Sequence, residues 1–439
     1  MKIKYILNTA TFFYLSLMIF FMISARPFAG LIVFGFTLGE LIVGACLLLS
    51  LVILITPGKY LKKYFTFNDQ FIYHKLIIIF FILLVLINKS EISNLYIFRS
   101  SSFIWTLSII YISSVIMFNP DLFKYFIYIF APIPIVNYLF ATGNYPNFII
   151  NFYIKYSDKF QFIKASDLLM SYMVVNIILI FLNGVNNKTI TYLCITSGLY
   201  FPLMLFNSRG AFISEVIFLI LQVYVNRSFF KKSFKKVSLY CTLLILTTIG
   251  SSIYFGYSFD LIQVAPETQI IAEAVEGIAK NKNTKEAILG FYICENRLCS
   301  EDNTLDWRLD IWGDLVSDLN NKNRILTGYG FDEIFPIMLD PSAPGRLGRD
   351  GLNENVHNYF FNIMGRMGII GLILIILFYN SLINMYQNRS KDFYLLSFLI
   401  PVFFNSFFDA NMEGVQYPFL FFSTLGFIFF NNQINKTVT

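Results

Sequence analysis

The sequence predicts an all-α polytopic membrane protein of about 12 transmembrane helices with one large external loop, and three observations carry that prediction. Of 439 residues, 56% are hydrophobic and 18% aromatic but only 14% charged, with a mean hydropathy of +0.62. Soluble domains carry about 25% charged residues, so a soluble enzyme is excluded. Apolar runs recur along the whole chain at the ~20-residue length that spans a ~30 Å hydrocarbon core. Lys and Arg fall unevenly between those runs, as they do when loops alternate across a bilayer. The formal charge of +6 therefore reads as topology rather than as a nucleic-acid site.

Spans are placed near 6–24, 31–55, 71–88, 102–119, 122–141, 167–183, 188–206, 211–226, 236–257, 360–380, 393–408 and 416–431. Lys2 and Lys4 before an apolar run imitate a signal peptide. The run is too long and lacks a small-x-small cleavage site, so it reads as a retained first helix. One set of loops holds Lys2, Lys4, Lys59, Lys62, Lys63, Lys124 and the cluster R-S-F-F-K-K-S-F-K-K at 227–236. The alternate set holds far fewer, among them Arg26, Lys89, Arg99 and Arg209. Both termini are expected on the cytoplasmic side, giving helices in 1–257, an external loop in 258–356 and helices again in 357–439.

That loop collects 17 of the 27 acidic residues against nine basic ones. A connection far longer than ~15 residues is functional or disordered, and Trp307, Trp312 and a G-Y-G turn mark this one as folded. Cys294 and Cys299 in C-E-N-R-L-C suit a disulfide in an external compartment. With no nearby His, a zinc site is the weaker reading. Cys46, Cys194 and Cys241 fall within spans as packing residues.

Chemistry concentrates at few positions. Of two histidines, His74 at the entry of the third span reads as interfacial. His357, in G-L-N-E-N-V-H-N-Y-F-F-N, lies where the loop turns into the tenth span, with Asn355 or Asn353 as candidate N-cap. The positive end of a helix disfavours imidazolium, leaving a ring able to accept a proton. Asn358 beside it is a candidate substrate contact. On a helical wheel over 305–319, Arg308 points with Leu305, Leu309, Ile311, Trp312, Leu315, Val316 and Leu319. Asp306, Asp310, Asp314 and Asp318 form an i, i+4 row on the other side. A guanidinium on a docking face suits phosphate oxygens, which its fork grips bidentately; a structural ion pair or a snorkelling side chain is the alternative.

Arg209 in N-S-R-G-A joins a cation to the free N–H groups of a helix N-terminus, with Ser208 as N-cap. Glu215 and Glu40 lie within spans, where carboxylates are costly; Glu215 could partner an external arginine at the substrate site, and Glu40 has no evident role. Arg346 and Arg349, in the Pro- and Gly-rich run from Asp340 to Asn355, read as a lid or acceptor contact. Gly365, Gly368 and Gly371 read as close-packing positions.

Taken in order, S-R-G-A after the seventh span, W-R-L-D-I-W and L-T-G-Y-G-F in the large loop, and V-H-N-Y-F-F at the last span group resemble the O-antigen ligase and O-antigen polymerase superfamily over residues 190–380. The resemblance implies a C-type glycosyltransferase that moves a glycan from an undecaprenyl diphosphate carrier to a glycan or lipid A-core acceptor. Transfer would invert the anomeric centre without a metal or other cofactor, outside the inner membrane of a Gram-negative cell. By it, Arg209 and Arg308 would hold the diphosphate and His357 would take the proton of the attacking hydroxyl. The rival expectation is a lipid-linked glycan flippase, which would show paired halves and interrupted helices at the midplane. Here the suggestive residues crowd toward one face beside one asymmetric loop.

Overall fold

A chain in hydrocarbon must satisfy its backbone internally, and helices do so residue by residue. The computed structural model of the protein obeys that constraint; it describes residues 2–57, 68–91, 93–116, 126–160, 163–231, 234–264, 291–294, 297–301, 303–340, 346, 354–390 and 393–437. In chain order the elements are α1 (Lys2–Ala29), β1 (Ile32–Val33), β2 (Phe36–Thr37), α2 (Leu38–Ile55), α3 (Asn68–Ile87), α4 (Leu95–Ser100), α5 (Ser102–Trp105) and α6 (Ile109–Ile116). Then follow α7 (Ile133–Ala141), α8 (Asn147–Tyr156), α9 (Ala165–Asn183), α10 (Asn187–Asn207), α11 (Arg209–Val225), α12 (Arg227–Phe230) and α13 (Phe234–Val264). The hairpin β3 (Phe291–Cys294) and β4 (Arg297–Ser300) precedes α14 (Asn303–Asn321), α15 (Tyr359–Ser390), α16 (Tyr394–Phe408) and α17 (Gln416–Thr437).

The protein is an all-α membrane protein. Among the described residues, α1, α2, α3, α9, α10, α13 and α15 each hold a stretch long and apolar enough to cross a membrane. Shorter apolar helices cover Ser102–Val115, Phe126–Ala141, Tyr394–Phe408 and Gln416–Phe429. Several span boundaries differ from the sequence expectation, the helix expected at 360–380 for example running to Ser390. The run 31–55 opens with the antiparallel β1–β2 hairpin, whose turn residues Phe34 and Gly35 both have positive φ, and helix starts only at Leu38. Glu40 thereby becomes the third residue of α2, where it forms a capping box with Thr37 (Thr37 N to Glu40 Oε2, 2.7 Å) at the very start of the apolar stretch Leu38–Ile55 rather than in its middle. The helix expected to end at 257 runs on to Val264. His74, expected to be interfacial, is fully buried and stacks on Tyr111.

Two compact units make up the chain. The first comprises Met1–Ile79, Arg99–Phe255 and Leu374–Thr439. Its centre is α9, in which every residue from Ser166 to Ile180 is buried, as a helix apolar on all sides requires. Where burial of apolar area gives little gain between lipid-solvated helices, small residues and interhelical hydrogen bonds take over. Tyr172 bonds Ser197 at 2.6 Å, Gln222 donates to Ser397 at 2.9 Å and Tyr138 meets Ser251 at 2.8 Å. At Gly198 a Cβ would overlap the Thr247 side chain, and at Gly426 it would overlap Ser113. The α10 and α13 pair and the α6 and α17 pair thus approach as closely as backbones allow.

The second unit comprises Phe80–Phe98 and Gly256–Ile373. Its frame is a clasp between α15 and the turn after α14. At Gly368 α15 breaks, with φ 64° and ψ −169°, a backbone region open essentially to glycine alone. The break leaves α15 carbonyls free for the L-T-G-Y-G run: Tyr329 N donates to Gly365 O at 2.8 Å and Gly330 N to Arg366 O at 3.0 Å. In return Ile369 N donates to Ile325 O at 2.9 Å. A Cβ on Gly328 would stand 2.6 Å from the Arg366 backbone and one on Gly365 2.6 Å from Phe335. Of the glycines expected to allow close packing, Gly365 and Gly368 do so, whereas Gly371 lies against Met367 of its own helix. Inside the clasp Arg366, 2% exposed, donates to Glu333 O at 2.5 Å, Tyr96 Oη at 3.0 Å and Gly330 O at 3.3 Å. Its guanidinium lies 4.1 Å from the Phe335 ring centroid.

Gly368→Ala should therefore be severe, since it adds backbone strain of about 1–3 kcal/mol to a clash with Leu326. A thermal melt of the detergent-solubilised protein should show a clearly lowered midpoint. Gly44→Ala, at a helical glycine with nothing within 4 Å, should leave the midpoint unchanged or raise it.

Candidate functional site

The site is built on α14 and on the approach to α15. As the helical wheel predicts, Leu305, Ile311, Trp312, Leu315 and Leu319 are buried, although Val316 is 38% exposed. Trp312 fixes the register of the two elements. Its indole Nε1 donates to Val356 O at 2.7 Å, and its ring stacks on Phe361 with centroids 5.1 Å apart and 8° between planes. One turn earlier on α14, Trp307 meets the imidazole of His357 at 5.2 Å between centroids. Arg308, partly buried, is the residue next to Trp307. Two tryptophans from different sides of α14 thus bring the arginine's helix and the histidine together.

His357 does not lie in the first turn of α15. The cap is Asn358 rather than Asn355 or Asn353: its Oδ1 accepts from the N–H groups of Phe360 at 2.9 Å and Phe361 at 3.1 Å. Asn353 lies outside the described residues. The helix starts at Tyr359, and His357 stands just before the cap with φ 53°. This left-handed conformation is uncommon outside glycine, with Asn, Asp and His enriched among the exceptions.

The acidic row of α14 is occupied by the unit's own cations. Arg346, only 3% exposed, is paired with Asp310 at 2.5 Å and with Asp314, and also donates to Ile337 O at 2.9 Å. Arg297 on β4 bonds Asp306 at 3.0 Å and lies 3.5 Å from Asp310. Asp318 pairs with Lys322 at 3.0 Å and accepts from Tyr329 Oη. A guanidinium held between two carboxylates fastens loop to helix, so the structure gives Arg346 a cross-linking role where the sequence suggested an acceptor contact. Arg349 lies outside the described residues. Cys299 is disulfide-bonded, and Cys46, Cys194 and Cys241 are free.

Arg209 and Glu215 belong to the first unit. Arg209 is exposed at the first position of α11, whose N-cap Ser208 accepts from Ala211 N at 3.3 Å. Glu215 is fully buried, and neither carboxyl oxygen has a hydrogen-bond partner. The pairing with an external arginine expected from sequence is therefore not made. Sequence reasoning also missed Arg366. The signal was available, since a charged residue within an apolar run invites the question already asked of Glu215.

Residues 193–376, rather less than half the chain, match the family model described as O-antigen ligase. The matched stretch takes in Arg209, the α14 tryptophans, the clasp glycines and His357. The match supports the resemblance of this stretch to the O-antigen ligase and polymerase superfamily. No curated protein matches the chain. The matched stretch includes most of the second unit, together with α11, α12, most of α10 and the part of α13 that belongs to the first.

The Asp306 contact gives a pH test. The hydrogen bond from Arg297, aided by Ser300 N, holds the Asp306 carboxyl below the usual carboxylate range. A depressed folded-state pKa contributes stability above the unfolded value of about 3.9 and loses it as pH falls through the folded value. Hydrogen exchange at β4 should therefore accelerate as pH is lowered below about 4, after correction for intrinsic rates. Asp306→Asn should remove that pH dependence.

Proposed function

We propose that the protein transfers a glycan from undecaprenyl diphosphate to a sugar hydroxyl at the periplasmic face of the bacterial inner membrane. It acts as an O-antigen or exopolysaccharide polymerase or as an O-antigen ligase, with both termini cytoplasmic. The observation that carries this reading is the Trp307–His357 contact, which sets a histidine beside the Arg308 helix within the stretch matched as O-antigen ligase.

The chemistry asks for little else. The acceptor oxygen attacks the anomeric carbon as the bond from that carbon to the phosphate oxygen breaks, with inversion and without metal or cofactor. The electron pair leaves on the diphosphate, whose growing charge Arg308 and Arg209 neutralise; such donors aimed at developing charge are a large catalytic term. The hydroxyl proton passes to the His357 imidazole, which needs only to be neutral and within hydrogen-bond reach. The exposed α11 terminus at Arg209 fits an anion. Glu215, buried on the same helix as Arg209, serves as a polar contact of the substrate. Of the two acceptors, another carrier-linked repeat unit is favoured, because no loop residue is evidently dedicated to a phosphorylated core.

Reconstituted protein supplied with a diphosphate-linked glycan and an acceptor should turn over without any gradient. Arg308→Lys and Arg209→Lys keep the charge but lose the fork, and each should cut kcat by about 10²-fold or more. His357→Asn, which tolerates the left-handed backbone, should cut kcat by about 10²–10⁴-fold. Unchanged rates in the Lys variants would assign both arginines to anchoring, and wild-type protein inert toward every donor would remove the transfer reading. In the host, deleting the gene should leave single repeat units on lipid A-core. Full-length polymer on the carrier beside bare core would mark a ligase instead.

A further inference from the structure

The first two turns of α15 hold a pair of amides with one unused donor and one unused acceptor. Asn358 is fully buried and Asn362 is 2% exposed. The orientation of Asn358 is dictated by its capping role: Oδ1 accepts from Phe360 N and Phe361 N, so the NH₂ end is the one left over. That Nδ2 is buried without a hydrogen-bond partner, and so is Oδ1 of Asn362. Leaving such groups unpaired in an apolar interior costs about 1–3 kcal/mol each, and native structures rarely hold two together without a purpose.

Spacing and polarity narrow what would complete them. Residues four apart on a helix carry Cβ atoms ~5–6 Å apart on one face, a span that a single bridging oxygen can close with two hydrogen bonds of ~2.9 Å. The bridging atom must accept from Asn358 and donate to Asn362. A phosphate oxygen cannot donate, and an ammonium cannot accept. A hydroxyl does both.

We infer that Asn358 and Asn362 bind one sugar hydroxyl of the acceptor, beside His357, and so position the attacking sugar. The inference rests on the transfer reading above and adds a specificity-determining pair to it. Asn358 then has two separable duties, its Oδ1 holding the helix and its Nδ2 holding substrate.

That separation makes the test. Asn358→Ser keeps an N-cap acceptor and removes the NH₂ donor, while Asn362→Leu removes the acceptor at similar volume. Melting midpoints of both variants should stay near wild type. The KM for the acceptor should rise about tenfold in each, with the KM for the carrier-linked donor unchanged. The double variant should be little worse than either single, because both amides serve one hydroxyl. Among singly deoxygenated acceptors, one should show the same loss with wild-type protein and no further loss with the variants. Wild-type kinetics in both variants, or a shift in donor KM alone, would overturn the inference while leaving the transfer reading in place. So would equal further loss for every deoxygenated acceptor, the pattern of amides bridged only by water. Were wild-type protein to transfer nothing, saturation-transfer NMR with methyl glycosides of glucose, galactose, mannose and N-acetylglucosamine would read the pair directly. Signal in wild type that vanishes in Asn358→Ser supports it, and equal signal in both overturns it.

Discussion

A guanidinium buried in the wall of α15 is the interaction on which the second unit depends. Taking a charge out of water costs several kcal/mol unless its donors are satisfied. Arg366 is satisfied only where Gly330 O, Glu333 O and Tyr96 Oη converge beneath the Phe335 ring. Those partners come from the turn after α14 and from the segment around α4, so one side chain ties three stretches of chain together. The neighbouring backbone exchange at Gly365 and Gly368 works in the same direction. Because α15 starts at Tyr359, capped by Asn358 about two turns before Arg366, the clasp also decides where His357 stands.

The charges of α14 complete that placement from the opposite side. Its carboxylates face the loop's own cations, with Arg297 and Arg346 spanning Asp306, Asp310 and Asp314. The helix is therefore gripped by ion pairs along its acidic row and by the ring contacts of Trp307 and Trp312. What looks in sequence like an acidic surface is a set of fastenings within the loop itself.

Periodicity carried much of this into view. The apolar runs gave the spans, the wheel over 305–319 gave the buried face of α14, and residue type gave His357, Arg308 and Arg209 as the residues to examine. Hydropathy is blind where the backbone, rather than the side chain, sets the structure. Residues 31–37 are apolar enough for a span yet turn through Phe34 and Gly35, and Glu40 looked deep in its span only because that turn was unseen. Capping misled in a similar way at Asn355, since a run with three asparagines offers several acceptors and only the true helix start selects among them. Long-range partners left no local trace at all. Nothing near Arg346 announces Asp310, and nothing near Tyr96 announces Arg366.

The glycine contacts of the first unit bear on how a lipid-tailed molecule could reach its chemistry. Where Gly198 lies against Thr247 and Gly426 against Ser113, the seams between α10 and α13 and between α6 and α17 have no width to spare. Opening either for an acyl or prenyl chain would strip backbone from backbone with nothing of similar shape to replace it. These seams are welds rather than doors, and a long apolar ligand would enter this unit only along helices whose facing side chains are large enough to swing aside.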